Sequence, residues 1–244
     1  MIMLKIEPRK NRSNFLEVSA PVIAVFLTMI FGGFLFLSMG KNPFEAIKLI
    51  FWDPIMSPTF SEYSRPQLVI KAAPLILIAL GLSFGFRANI WNIGAEGQYI
   101  MGALISGSIG LALYPLDSMV IFPLMILGGI IGGILWAMIP AILKIRFNTN
   151  EILVSLMLVY VAEQILALAS VGFLRNPEGL GFPGSRDLSK YPSAANPELI
   201  ANSGIHMGVI FSIIAVIVLT YFLIYHRLGC LLYTSPSPRD KSSS

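Results

Sequence analysis

FRANIWNIGAEGQYIMGA, Phe86 to Ala103, sets an arginine, two asparagines, a glutamate and a glutamine between two stretches apolar enough to cross a membrane. A charge at bilayer depth costs on the order of 3 kcal/mol on insertion scales, so such a residue normally has a partner or lines a wet path. Arg87, Asn89, Asn92, Glu96 and Gln98 are therefore the first candidates for function. The competing reading is a short polar loop at the membrane surface. It suits Arg87 at least as well. It suits Glu96 less, because apolar helix-forming sequence resumes at once.

Composition agrees with a membrane setting. Hydrophobic residues make up 55% of the 244 and charged residues 12%, against about a quarter charged in soluble domains. So few charges cannot cover a water-facing surface. The net charge of +4 comes from basic residues at segment ends. No basic patch is interleaved with aromatics, so a nucleic-acid partner is not expected. A single cysteine, Cys230, excludes an internal disulfide framework and a cysteine metal cluster. The chain has no Walker-type phosphate loop, so it does not bind ATP through that motif.

Outward from the opening segment, long apolar runs cover about Ala20–Met39, Leu68–Phe86, Ile93–Leu113, Met119–Leu143, Ile152–Leu174 and Met207–Tyr225. Each is long enough to cross roughly 30 Å of hydrocarbon as a helix. None alternates with period two, which argues against a barrel. The expectation is an all-α, polytopic helical membrane protein of about six spanning helices, with a polar break near residues 87–97. Residues 1–18 form a basic N-terminal segment. The first apolar run exceeds the roughly 7–15 residues of a signal peptide and lacks a small-residue cleavage site, so it reads as an uncleaved anchor. Between Gly40 and Pro66, Asn42-Pro43, Asp53-Pro54 and Ser57-Pro58 should interrupt regular helix. Phe44–Trp52 fits a short amphipathic surface helix, and Pro74 should kink the second spanning helix.

Lysines and arginines in short flanks favour a cytoplasmic N-terminus, with Arg87, the Lys144/Arg146 pair and Arg227 on the same side. Tyr114–Ser118 and the long loop Arg175–Ile205 then fall outside. A transmembrane domain is expected over residues 19–229. After Gly229 the character changes abruptly, and residues 230–244 read as a disordered tail or as foreign sequence. The sudden stop of the helical pattern favours foreign sequence and a chain that is a fragment.

Small residues in GGIIGG, Gly128–Gly133, and at Ala103, Ser106, Gly107 and Gly110 suit close helix packing. Ser106 and Ser108 either face a pathway or bond back to their own helix. In NTNEILVSLMLVYVAEQ, Asn148–Gln164, Asn148 or Thr149 can cap a helix whose first turn carries Glu151. Glu163 and Gln164 lie about three turns in, deep enough to face protein or water, and Ser155, Tyr160 and Glu163 fall near one another at helical spacing. They serve either a pathway or a buried structural bond. Trp91, Tyr99, Trp136 and Tyr160 could stack a planar ligand, although Trp136 also fits an interfacial belt. Catalysis is poorly supported. His206 and His226 lie at opposite ends of the last run, roughly 30 Å apart, and Asp117 sits in a turn without a carboxylate partner.

FRANIWNIGAEGQYIMGA resembles the signature of bacterial ABC-transporter permeases of the nucleoside and simple-sugar uptake group. NTNEILVSLMLVYVAEQ and RNPEGLGFPGS resemble its next landmarks, in the same order. The resemblance covers roughly Ala73–Gly229 and is nearest to nucleoside permeases. It implies a plasma-membrane protein that moves nucleosides or simple sugars inward, with two permease subunits, a separate cytoplasmic ATPase and an extracytoplasmic substrate-binding lipoprotein. It implies no enzyme activity and no cofactor on this chain, ATP being bound by the partner subunit. Family members run longer, into a cytoplasmic segment that docks on the ATPase. Here YHRLG is followed by the foreign-looking tail. On this reading the substrate pathway is lined by Asn89, Trp91, Asn92, Glu96, Gln98, Tyr160, Glu163 and Gln164. The rival reading is an ion-coupled secondary transporter of small polar solutes, using Glu96 and Glu163 as ion sites. A membrane scaffold without transport is the third.

Overall fold

The computed structural model of the protein describes residues 14–201 and 203–225. Most of the basic segment, His226, Arg227, Cys230 and the tail 230–244 lie outside the described residues. The protein is an all-α, polytopic membrane protein. Its helices are α1 (Asn14–Ser38), α2 (Pro43–Ile47), α3 (Asp53–Met56), α4 (Ser61–Arg87), α5 (Ala95–Ala112), α6 (Ile121–Phe147), α7 (Glu151–Val171) and α8 (Gly208–Tyr225). A two-stranded antiparallel pair, β1 (Glu198–Ile200) and β2 (Ile205–His206), precedes α8.

Among the described residues five helices are long and apolar enough to cross a membrane: α1 from Ser19, α4, α6, α7 and α8. The sixth expected span, α5, is a helix of 18 residues. Its first turn carries Glu96, with Gln98 directly after, and these lower its apolar character. Large apolar side chains along α1, α6 and α8 are exposed, as a lipid-facing surface requires.

The chain forms two compact units that meet at Leu68/Val69, within α4. In the first, Asn42 caps α2 by accepting from Phe44 N at 3.0 Å. Helical structure then continues through a π-helical turn, Lys48–Trp52, into α3. Asp53-Pro54 does not interrupt it, because a proline in the first turn of a helix lacks only an N–H that has no intrahelical partner. Arg65 Nε donates to Ile55 O at 2.7 Å. Likewise α4 begins at Ser61, ahead of the expected start at Leu68, and runs as one helix through Pro66 and Pro74.

The second unit is organised by α5, which packs antiparallel on α6 and also against α7. Glycines set the α5–α6 approach: a Cβ built on Gly102 would lie 2.9 Å from Gly129 O, and one on Gly132 would lie 2.7 Å from Ile105 Cδ1. Gly107 meets nothing within 4 Å, so that part of the small-residue stripe is not used for packing. Ser108 Oγ donates to Leu104 O at 2.7 Å, which settles its role as a bond within its own helix. Where α5 and α6 turn over, Tyr191 from the long loop is buried with Ile121, Met125 and Ala194. Its hydroxyl donates to Leu113 O at 3.1 Å and to Leu116 O. Asp117 is structural, accepting from Ser193 Oγ at 2.6 Å.

Candidate functional site: the break between α4 and α5

Helix α4 ends by its own chemistry. Asn89 takes a left-handed conformation, φ 56°. Asn89 N donates to Phe86 O at 3.1 Å and Ile90 N to Gly85 O at 2.9 Å, the paired bonds of a Schellman cap. Residues 90–94 are then non-helical until α5 begins at Ala95. Asn92 shapes this segment, its Oδ1 accepting from Gly94 N at 2.9 Å.

The segment is seated on α7. Ile93 N donates to Ser155 Oγ at 3.2 Å, and that hydroxyl donates in turn to Ile152 O at 3.2 Å. Gly94 lies so close that a Cβ there would sit 2.8 Å from Ser155 O and 2.9 Å from Ser155 Cβ. One turn on, a Cβ on Gly97 would lie 3.1 Å from both Val159 Cα and Trp136 Nε1. Trp136 therefore belongs to the helix contact rather than to an interfacial belt. Its Nε1 is enclosed without a hydrogen-bond partner.

Where α6 meets α7, Asn148 is the left-handed C-cap of α6, φ 51°. The N-cap of α7 is Asn150, accepting from Ile152 N at 3.0 Å, and not Asn148 or Thr149. Asn148 is taken by the end of the preceding helix. Lys144 in the last turn of α6 pairs with Glu151 in the first turn of α7.

Three cavities line this unit in series. The first, about 200 Å³, lies against the break, with Trp91, Asn92 and Gln98 on one side and Pro140, Lys144, Glu151 and Ser155 on the other. The second, about 560 Å³, opens between α4, α5 and α6 and shares Gln98 and Ala137 with the first. The third, about 250 Å³, reaches His206 and the start of α8, and shares Leu77 and Tyr99 with the second.

The predicted residues divide between two places. Trp91, Asn92 and Gln98 share the first cavity, and Trp91 also packs its ring 5.1 Å from that of Phe86. Asn89 is occupied as the helix cap. Glu96 is exposed at the first turn of α5. Tyr160, Glu163 and Gln164 are all exposed on α7, Tyr160 at 59%. Ser155, Val159 and Ala162 form the buried face of α7. Ser155 thus does not cluster with Tyr160 and Glu163, because they sit on different faces. Sequence reasoning missed Lys144, Pro140 and His206 as cavity residues, whereas Tyr99, read as a ring that could stack a planar ligand, lines the second and third cavities. The polar positions Lys144 and His206 were visible, but nothing in their spacing joined them to the break.

A family model described as the permease component of branched-chain amino acid transport systems matches residues 65–236. Among curated proteins, the chain is 28% identical to the glucose ABC transporter permease TsgB13 of Haloferax volcanii, over 93% of the chain and 60% of that protein. It is 26% identical to the guanosine ABC transporter permease NupP of Bacillus subtilis, over 83% of the chain and 57% of that protein. It is 25% identical to the nucleoside ABC transporter permease NupB of Lactococcus lactis, over 87% of the chain and 59% of that protein. No solved structure matches. The chain thus spans about three-fifths of the length of these relatives. None of the three names supports the ion-coupled alternative. With a match over most of its length, the chain belongs to the family of branched-chain amino acid transport system permease components.

Proposed function

We propose that the chain is the membrane-spanning permease subunit of an ATP-binding-cassette importer that moves nucleosides or simple sugars inward. The observation that carries this reading is the row of cavities sharing Gln98 and Tyr99 beside an interrupted helix. Interrupted backbone in a membrane is tolerated where it is packed in protein or lines a cavity, and there it offers groups to polar solutes. The relatives named for glucose, guanosine and nucleosides support the substrate class.

The division of labour follows. ATP hydrolysis belongs to a separate cytoplasmic ATPase, a second permease subunit completes the pathway, and an extracytoplasmic lipoprotein delivers substrate. The N-terminus is cytoplasmic, which puts the Lys144–Glu151 end of the first cavity on the cytoplasmic side. Asn92 and Gln98 supply donors and acceptors, and Trp91 supplies a ring face. Asn89 shapes the end of α4, and Glu96 sits at the cytoplasmic mouth. Tyr160, Glu163 and Gln164 line the pathway from the other face of α7, where the second permease subunit meets it. A carboxylate deep in a span calls for a protein or water neighbour, since lipid offers it no partner. ATPase closure shifts the population between outward- and inward-facing states.

Uptake of labelled guanosine and glucose into vesicles holding the whole transporter tests this. Transport should follow ATP and ignore ion gradients. Uptake that collapses with the ion gradient and ignores ATP would replace this reading with the ion-coupled one.

A further inference from the structure

The third cavity has its own chemistry, and nothing above assigns it a role. It is bounded by Pro74 and Leu77 of α4, Tyr99 of α5, Asn196 of the long loop, His206 of β2 and the first residues of α8. Its volume of about 250 Å³ equals roughly eight waters at about 30 Å³ each, enough for one sugar ring or base. His206 Nδ1 is enclosed and has no hydrogen-bond partner. A buried polar atom left unpaired is costly, so a group that pairs it from the cavity is favoured. Glu198, opposite His206 in the strand pair, is exposed and is not part of the cavity wall.

Neither this cavity nor the adjoining 560 Å³ one has an Asp, Glu, Lys or Arg in its wall. A zwitterionic amino acid would bring two charges into this space with no fixed partner for either, which is strongly unfavourable. An uncharged ring with hydroxyls meets what is there: an aromatic face at Tyr99, an amide at Asn196 and an imidazole at His206. We propose that Tyr99, Asn196 and His206 form a selectivity subsite at the α8 end of the pathway, which takes the neutral ring of a nucleoside or hexose and rejects amino acids. This deepens the transport reading above and rests on it.

The test combines uptake with a binding readout in membranes holding the whole transporter. His206→Ala and, separately, Asn196→Ala should raise KM for guanosine or glucose about tenfold, the loss of roughly one hydrogen bond, with maximal rate little changed. Asn196 is exposed, so its replacement leaves folding intact and keeps the test decisive if His206→Ala inserts poorly. His206→Cys, in a Cys230→Ser background, should react with a sulfonated thiol reagent, and guanosine or glucose, but not leucine, should protect it. Unchanged KM in Asn196→Ala with no protection at 206 overturns the subsite while transport stands. Protection by leucine overturns the neutral-ring assignment. Protection by guanosine or glucose without ATP-driven uptake supports the subsite and removes the importer mechanism.

Discussion

Replacing Gly94, the residue just before α5, with alanine should loosen the break more than the same change within α5. The new Cβ would lie 2.8 Å from Ser155 O and 2.9 Å from Ser155 Cβ, and the nearer obstacle is backbone, which cannot swing aside. Overpacking of this kind costs about 1–3 kcal/mol. Displacing α5 also stretches the Ile93 N to Ser155 Oγ bond of 3.2 Å, worth about 0.5–1.5 kcal/mol. The sum is roughly 2–4 kcal/mol, or about 4–16 °C in melting temperature at this chain length. Thermal melting of detergent-solubilised protein, read by tryptophan fluorescence, measures it. Gly107→Ala is the control: its Cβ meets nothing within 4 Å, so it should be neutral or add up to about 1 kcal/mol by helix propensity. Equal melting of Gly94→Ala and the parent would refute the reasoning, since α5 could then leave Ser155 without loss. An equal drop in Gly107→Ala would refute it too, by showing that any added methyl harms this helix.

Further outcomes follow from the same geometry. Lys144→Met and Glu151→Gln should each destabilise, because each leaves a partly buried charge beside the first cavity, with side chains 40% and 16% exposed; the double variant should recover part of the loss, a coupling of roughly 0.5–3 kcal/mol in a double-mutant cycle. Glu96→Gln with normal membrane insertion should reduce uptake, and unchanged uptake would remove Glu96 from the mechanism. The Tyr191 phenol is pushed above its usual range, first by burial and then by Asp117 and Tyr114. The folded pKa is the higher one, so this group's contribution is complete below about pH 10, the unfolded value, and is lost as pH rises through the folded one. The tyrosinate difference spectrum between the parent and Tyr191→Phe should therefore have its midpoint above about pH 10, and a midpoint at the ordinary value would show an undocked loop.

The spans were legible because long apolar runs have no other stable home, and the break was legible because Arg87 to Gln98 cannot continue a lipid-facing helix. Boundaries were less so. Prolines read as stops proved compatible with helix where they fell in a first turn, as Pro54 does, so helical structure reached further than the punctuation suggested. The sequence reading puts the cap of α7 at Asn148 or Thr149, yet two asparagines stand two residues apart here, 148 and 150. Only the tight turn shows that the first closes α6 and the second opens α7. Which face of a span is covered also escaped the sequence. The polar residues Tyr160, Glu163 and Gln164 share α7 with Ser155 but not its buried side. Tyr99, Asn196 and His206 are far apart along the chain and meet only once the loop has folded back over α4 and α5.

The shortness of α5 has a consequence for how the layer is crossed. Eighteen residues make a rod of about 27 Å, below the roughly 30 Å of an average hydrocarbon layer, whereas the 27 residues of α6 reach about 40 Å. A rod of that length does not span the layer alone, so the open backbone of residues 90–94 has to carry part of the crossing, sheltered against α7 and not in lipid. On the proposed pathway, a polar solute passing Asn92 and Gln98 would travel beside that open backbone, whose amides and carbonyls a closed helix would have hidden.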